Sequence, residues 1–260
     1  MPNLPIAFVD RIHLQFAGDA QTMLAAMHLP PGNSVLINSH KQAPLSFDTF
    51  PVPWCPAGGL LHDRPRFALD PLWHAGAYYV QESSSMLLWH VLNSLNVADQ
   101  HLAVLDACAA PGGKSLLISS WLGERGWLLS NEVNAHRNAV LRENMIKWGR
   151  GNTLVSREET HRLGRLTEKF DIILVDAPCS GEGMFRKDEE ACALWSPENV
   201  SGCARRQQQL LNDLLPALKD GGWLIYSTCT YAPEENEQNA QWLAGNGLEA
   251  WRFSVSPAWG

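Results

Sequence analysis

The chain has 260 residues, with Lys+Arg 20 against Asp+Glu 27 and a formal net charge of −7. That balance excludes a basic protein that coats nucleic acid without specificity, but leaves room for a nucleic-acid enzyme with a local basic face. Hydrophobic residues make up 45 % and charged residues 18 %, which supports a sizeable core and excludes disordered, collagen-like and fibrous classes.

Residues 1–100 hold ten of the 16 prolines. Prolines this dense predict short helices and irregular turns, hence a small, mainly helical N-terminal domain. Apolar residues at helical spacing predict one or two helices within Phe8 to Met27, and Tyr78 to Leu95 reads as another. From residue 101 to 260 the pattern is regular. Apolar runs at Leu102–Ala107, Trp127–Ser130, Thr153–Val155, Ile172–Val175 and Trp223–Tyr226 alternate with helical stretches at Ser115–Leu122, Ala135–Trp148 and Arg205–Leu218. Short apolar strands between helices predict an α/β fold with a doubly wound parallel sheet, whose ligands sit beyond the carboxyl ends of the strands.

Six cysteines are present without a C-x-x-C pair. Asp10 and Arg11 interrupt the apolar N-terminal stretch, and no apolar run reaches the ~20 residues that span a bilayer. These features predict free thiols in a reducing cytoplasm, no membrane association and no metal site.

The residues that follow the strands carry the chemistry. After the first come Asp106-Ala-Cys108-Ala109-Ala110-Pro111-Gly112-Gly113-Lys114-Ser115, a glycine turn opening a helix. Gly113-Lys114-Ser115 also fits the end of a P-loop, and Ile172 to Asp176 a Walker-B strand. Cys108, however, stands where the first P-loop glycine belongs, which disfavours a nucleoside triphosphatase. The second strand ends in Glu132, placed to accept ribose hydroxyls. The fourth ends in Asp176-Ala-Pro-Cys179 and the fifth in Ser227-Thr-Cys229, so two cysteines accompany a carboxylate. Cys55, Cys108, Cys192 and Cys203 read as small buried hydrophobes, Cys179 and Cys229 as reactive thiols.

The stretches DACAAPGGK, DAPCSGEG and YSTCTYAPEENE closely resemble the Sun-type RNA cytosine-C5 methyltransferases of the bacterial YebU/RsmF-like branch. VPWCPAGGL, LDPLWHAGAYYVQESSSM and RKDEEACALWSPENV resemble its intervening segments. The resemblance implies an S-adenosylmethionine (SAM) methyltransferase sheet behind an RNA-facing N-terminal domain, acting on ribosomal rather than transfer RNA. It implies Cys229 as the nucleophile that adds to cytosine C6, Cys179 as the thiol that assists product release, and Asp176 as the acid that activates the base and borders the cofactor. Chemistry alone does not order the two cysteines. The same resemblance puts Cys108, Ala109, Ala110, Pro111, Gly112, Gly113 and Lys114 around the methionine moiety and Glu132 on the ribose. Arg137 takes the family's arginine position. The adenine-contacting acid aligns with Glu159, or with Glu158, because Ser156-Arg157-Glu158-Glu159-Thr160 lacks the usual D-G-R pattern.

For RNA contact, Arg186 and Lys187 follow the Cys179 loop, and Trp195 and Trp54 are candidates for base stacking. Residues 137–169 carry eight Lys/Arg against four acids, a pattern that suits either a solvated helical face or phosphate contact. Ser34-Val-Leu-Ile-Asn38 lacks the arginine of the family's S-x-R-x-N pattern. The chain stops at Gly260, where the family places its last strands. Leu248–Val255 is expected as strand six with no seventh after it, leaving strand five with an exposed edge open to self-association. A catalytically weak or inactive RNA-binding remnant of the family is therefore the alternative function.

Overall fold

A computed structural model of the chain describes residues 3–95, 97 and 101–259. The elements run α1 (Ile6–Phe16), α2 (Ala20–Ala26), β1 (Asn33–Ile37), β2 (Phe50–Val52), β3 (Cys55–Leu61), α3 (Pro71–His74), β4 (Tyr78–Val80) and α4 (Leu87–Ser94). They continue as β5 (Leu102–Asp106), α5 (Gly113–Leu122), β6 (Gly126–Asn131), α6 (Ala135–Trp148), β7 (Thr153–Ser156), α7 (Thr160–Leu163) and β8 (Phe170–Asp176). The last are α8 (Glu189–Leu194), α9 (Pro197–Leu214), β9 (Leu218–Ser227) and α10 (Glu237–Gly245).

The chain forms two compact units. The larger comprises Gly32–Asp176, Asp213–Ile225 and Arg252–Gly260; the smaller comprises Met1–Pro31, Ala177–Asn212 and Tyr226–Trp251.

The larger unit holds the expected α/β sheet, in the order β7-β6-β5-β8-β9. β5 pairs in parallel with β6 and with β8, and β6 in parallel with β7. Every residue of the central β5 is buried, which is why its sequence reads as an unbroken apolar run ending in Asp106. The chain leaves β5 for β6 and β7 on one side, then returns to β8 on the other. This reversal opens a crevice beyond the carboxyl ends of β5 and β8. Leu102, Val104, Leu116, Leu128, Ile172 and Leu174 form the core beneath it. Asn134 caps α6 by accepting from the backbone N–H groups of His136 and Arg137 at 3.0 and 3.1 Å.

The same unit corrects the expectation of a mainly helical N-terminal segment. Residues 33–80 form a four-stranded sheet, β2-β3-β1-β4, antiparallel throughout. Its strands are short, and Pro51 sits on the terminal strand β2 and Pro56 near the start of β3, where few ladder bonds are lost. Tyr78–Val80 is strand, not helix, because two aromatics and a β-branched residue pack well on a pleated surface beside β1. The helix expected from Tyr78 begins only at Leu87. Leu36, at the arginine position of the family's S-x-R-x-N pattern, is fully buried in the core.

The expected sixth strand also fails. Among the described residues no strand follows β9, and residues 248–256 lack regular structure. Within the larger unit, Phe253 and Trp259 instead pack their rings on His90 at 6.0 and 4.8 Å, and Trp259 also contacts Trp54 at 5.7 Å. These contacts need no ladder partner.

The smaller unit packs α1 and α2 against the segments carrying Phe185, Trp195 and Val200. Phe8 meets Phe185 and Trp195 edge to face at 5.0 and 5.9 Å. Trp195 is thus a core residue, and its indole N–H donates to Glu182 at 2.9 Å, which overturns its reading as a base-stacking surface. No described helix is long and apolar enough to cross a membrane.

Candidate active site

Within the larger unit, the turn after β5 lines a pocket of about 210 Å³ with Asp106, Cys108, Ala109, Ala110, Pro111, Gly113 and Lys114. Gly112 opens α5 with φ +119°, a conformation that favours glycine, and so turns the helix N-terminus. Asp176, at the end of β8, lies on the same pocket and pairs with Lys114, Nζ to Oδ1, at 2.7 Å.

Asp106 is fully buried. Burial pushes its carboxyl up to about 7, and the nearby Asp176 carboxylate adds to the effect, while the Ser115 hydroxyl, donating at 2.7 Å, and Lys114 oppose it. Its second oxygen, Oδ1, has no hydrogen-bond partner. Gln81, also on the pocket and 8 % exposed, leaves its Oε1 without a partner too. Two buried acceptors without donors on one pocket mark where a ligand with N–H groups is solvated. Cys108 is half-buried on the pocket rather than a core hydrophobe, and burial raises its thiol to about 12. It is inert at neutral pH.

Glu132, Arg137, Gly112 and Glu159 do not line this pocket. Glu132 accepts from the Asn134 N–H at 2.9 Å and meets Arg137 at 3.3 Å. Arg137 also donates to the Ala110 carbonyl at 2.7 Å, tying α6 to the turn. The Glu158 carboxylate accepts from Arg162 at 3.2 Å, whereas Glu159 is exposed just before α7.

Within the smaller unit, Cys179 and Cys229 converge with their Sγ atoms 3.2 Å apart. Cys229 is exposed and Cys179 half-buried. The hydrogen bond to the Cys229 sulfur, reinforced by burial, holds the Cys179 thiol well above its ordinary range.

The two cysteine loops are stitched together nearby. The Gly183 N–H donates to the Cys229 carbonyl at 2.6 Å, and the Ser180 and Thr230 hydroxyls meet at 3.0 Å. Glu182 is buried and accepts from Arg11 at 2.6 Å, from Trp195 at 2.9 Å and from the Tyr231 N–H at 2.9 Å. Glu235, also buried, accepts from the Ser180 N–H at 3.0 Å and from Gln207 at 2.8 Å. Arg186 donates to the Pro30 carbonyl at 2.8 Å. Lys187 follows it in the segment before α8.

Asp106, Tyr79, Gln81 and Ser85 on the pocket, and the carboxylates of Glu182 and Glu235 behind the thiols, were missed in the sequence. For Tyr79, Gln81 and Ser85 a signal existed in YYVQESSSM, and for Asp106 in DACAAPGGK; both stretches matched the family pattern without these residues standing out. Among the described residues, no group of three or more His, Cys, Asp or Glu side chains is placed to hold a metal.

Comparison with known proteins adds an independent line. Residues 92–245 match the family described as 16S rRNA methyltransferase RsmB/F, and residues 4–83 match the N-terminal domain of 16S rRNA methyltransferase RsmF. Ribosomal RNA small subunit methyltransferase F of Pectobacterium carotovorum is 36 % identical over 269 residues, covering 96 % of this chain and 55 % of the relative. The protein of the same name from Salmonella heidelberg is 39 % identical over 246 residues, covering 88 % and 50 %. The chain thus spans about half the length of the curated relatives it matches.

Among solved structures, a methyltransferase homologue from Pyrococcus horikoshii superposes with a TM-score of 0.77 at 29 % identity, over 94 % of this chain and 79 % of that one. NSun6 from the same organism, solved with SFG, superposes at 0.82 with 17 % identity, over 97 % and 90 %, a likeness of fold. The family match includes the glycine turn, so the P-loop alternative falls. From the matched residues and the fold together, the chain belongs to the 16S rRNA methyltransferase RsmB/F family.

Proposed function

We propose that this chain is the catalytic portion of a SAM-dependent RNA cytosine-C5 methyltransferase acting on small-subunit ribosomal RNA. The observation that carries the reading is the Cys179–Cys229 thiol pair. A structural cysteine is buried alone, whereas here an exposed sulfur is hydrogen-bonded to a second thiol that is held well above its ordinary range.

The pocket suits the cofactor on its donor set. Gln81 Oε1 and Asp106 Oδ1 lack donors, as a site for an α-ammonium group requires. In this reading the turn from Cys108 to Lys114 would hold the methionine end, Glu132 and Glu159, which lie outside the pocket, would meet the ribose and the adenine as the family resemblance implies, and Arg137 braces the turn through Ala110. When bound, SAM supplies an electrophilic methyl group.

The chain's own residues then do the following. The Cys229 thiolate adds to C6 of a cytosine that has left its stack, forming an S–C6 bond and shifting electron density onto C5. Asp176, aligned by Lys114, hydrogen-bonds the base at N3 and the exocyclic amine and balances the charge that develops there. Loss of the C5 proton to bulk water and cleavage of the S–C6 bond restore the ring double bond and release Cys229 as a thiolate, which the Cys179 S–H stabilises by hydrogen bonding, the proposed role of Cys179 in product release. Arg186 and Lys187 are proposed RNA contacts. The linear division into an RNA-facing module, 1–100, and a catalytic module, 101–260, is supported by the two family matches, which meet between residues 83 and 92.

Trapping on RNA containing 5-fluorocytosine tests the reading, because fluorine cannot leave as a proton does. With SAM present, a covalent adduct mapped to Cys229 is expected. Adduct formation by Cys229→Ala but not by Cys179→Ala would reverse the two roles. An RNA-bound chain that never forms an adduct is the non-catalytic remnant instead.

A further inference from the structure

A second concave surface lies in the larger unit, outside the pocket described above. It is an open groove of about 550 Å³ along the exposed side of α6, closed by Arg157 just beyond β7. Three cations and one acid line it: Arg142, Lys147 and Arg157 with Glu143. Glu143 is already held by Lys147 at 2.5 Å, one helical turn away. The guanidinium groups of Arg142 and Arg157 have neither ion pair nor hydrogen bond among the described residues. The groove therefore carries two uncompensated guanidinium groups on a chain whose net charge is −7. Its apolar lining includes Ala139 and Ile146, and Ile146 is 70 % exposed.

We propose that this groove binds the phosphate backbone of the substrate RNA at nucleotides flanking the target base. The inference rests on the RNA methyltransferase reading, which supplies the polyanion. Planar guanidinium groups grip phosphate oxygens through two parallel hydrogen bonds. An exposed aliphatic side chain between them gives a sugar or base face something to pack on. The groove draws on the excess of Lys/Arg over acids at 137–169. Arg137, Lys147 and Arg162 are paired with Glu132, Glu143 and Glu158; of the five cations left in this stretch, Arg142 and Arg157 line the groove, and Arg150, Arg165 and Lys169 lie outside it.

The test is fluorescence anisotropy of the 260-residue chain with a fluorescein-labelled small-subunit rRNA hairpin, at several KCl concentrations. The double variant Arg142→Gln/Arg157→Gln is expected to weaken binding roughly tenfold and to flatten the slope of log K against log salt by about 1.5. Glu143→Gln, which releases Lys147, is expected to tighten binding about threefold. Arg165→Gln, which removes an exposed arginine outside the groove, should change little, and calorimetric SAM affinity should be unchanged in all three. If the wild-type chain binds the hairpin and the double variant matches it in affinity and slope, the groove proposal is overturned while the methyltransferase reading stands. An acidic protein would then be the partner left for the groove. No hairpin binding by the wild type overturns both. The Glu143→Gln gain keeps the test decisive even if the double variant folds poorly.

Discussion

The sulfur of Cys179 lies 3.2 Å from that of Cys229, although 50 positions of sequence separate them. The hydrogen bond between them keeps Cys179 protonated, so at neutral pH alkylation by iodoacetamide is expected at Cys229 before Cys179. In Cys229→Ala the hydrogen bond and the neighbouring sulfur's charge disappear, which leaves burial alone to raise Cys179. Its alkylation should then begin at lower pH than in the wild type. Peptide mapping of alkylation against pH checks this, and an unmoved Cys179 profile would mean that the two thiols do not interact.

Gly183 holds this geometry through a close approach. A Cβ there would sit 2.7 Å from the Cys229 carbonyl, which already accepts the Gly183 N–H at 2.6 Å. Gly183→Ala must push the Cys229 loop away. Turnover is expected to fall on the order of 10²-fold, as small misplacements of reacting groups do, while SAM affinity stays at the wild-type value. Equal turnover in variant and wild type would show that the loop accommodates the methyl group.

How much of this was legible in the sequence depends on how local the signal was. Strands β5 and β8 were readable because they are buried, nearly unbroken apolar runs, each followed by a polar or glycine-rich turn, and β6, β7 and β9 from their shorter apolar stretches between helical patterns. Cys179, Cys229 and Asp176 stood out because they end such strands. The N-terminal sheet was hidden because its strands are three to seven residues long and interrupted by Pro51 and Pro56. Tyr79, in β4, and Gln81, just after it, reach the pocket from more than twenty residues upstream of the glycine turn, and nothing in the local pattern announces that closure. Trp195 was misread because an exposed and a buried tryptophan look alike until the acceptor for the indole N–H, Glu182, is known.

Glu182 is the most heavily used carboxylate of the smaller unit. Removing it in Glu182→Ala strands the Arg11 guanidinium, the Trp195 indole N–H and the Tyr231 N–H together. Loss of one partner of such a buried pair costs about 3–5 kcal/mol. Arg11→Ala, which leaves two donors on the carboxylate, should cost less. Urea unfolding of the two single variants and the double variant gives the coupling, and additive effects would sink the claim that Arg11 and Glu182 stabilise the unit through each other.

Asp106 makes the last case, in which stability and ligand affinity run oppositely with pH. Its carboxyl ionises near 3.8 in the unfolded chain and is raised to about 7 in the fold, so between these values the native state holds the proton that the unfolded state has lost. Stability contributed by this group is therefore full below about pH 4 and is lost as pH rises towards 7, at up to about 1.4 kcal/mol per pH unit. Asp106→Asn cannot ionise, and its stability relative to the wild type should improve across that window and level off above it. Ligand binding has the opposite sign. An ammonium group that donates to Oδ1 prefers the ionised carboxylate, so SAM affinity of the wild type should rise from about pH 6 to about pH 8 while that of Asp106→Asn stays flat. Chemical denaturation and calorimetry over the same buffers read both slopes. Parallel stability curves for the two proteins would show that Asp106 does not titrate in the fold, and a wild-type affinity independent of pH would remove its carboxylate from the cofactor site.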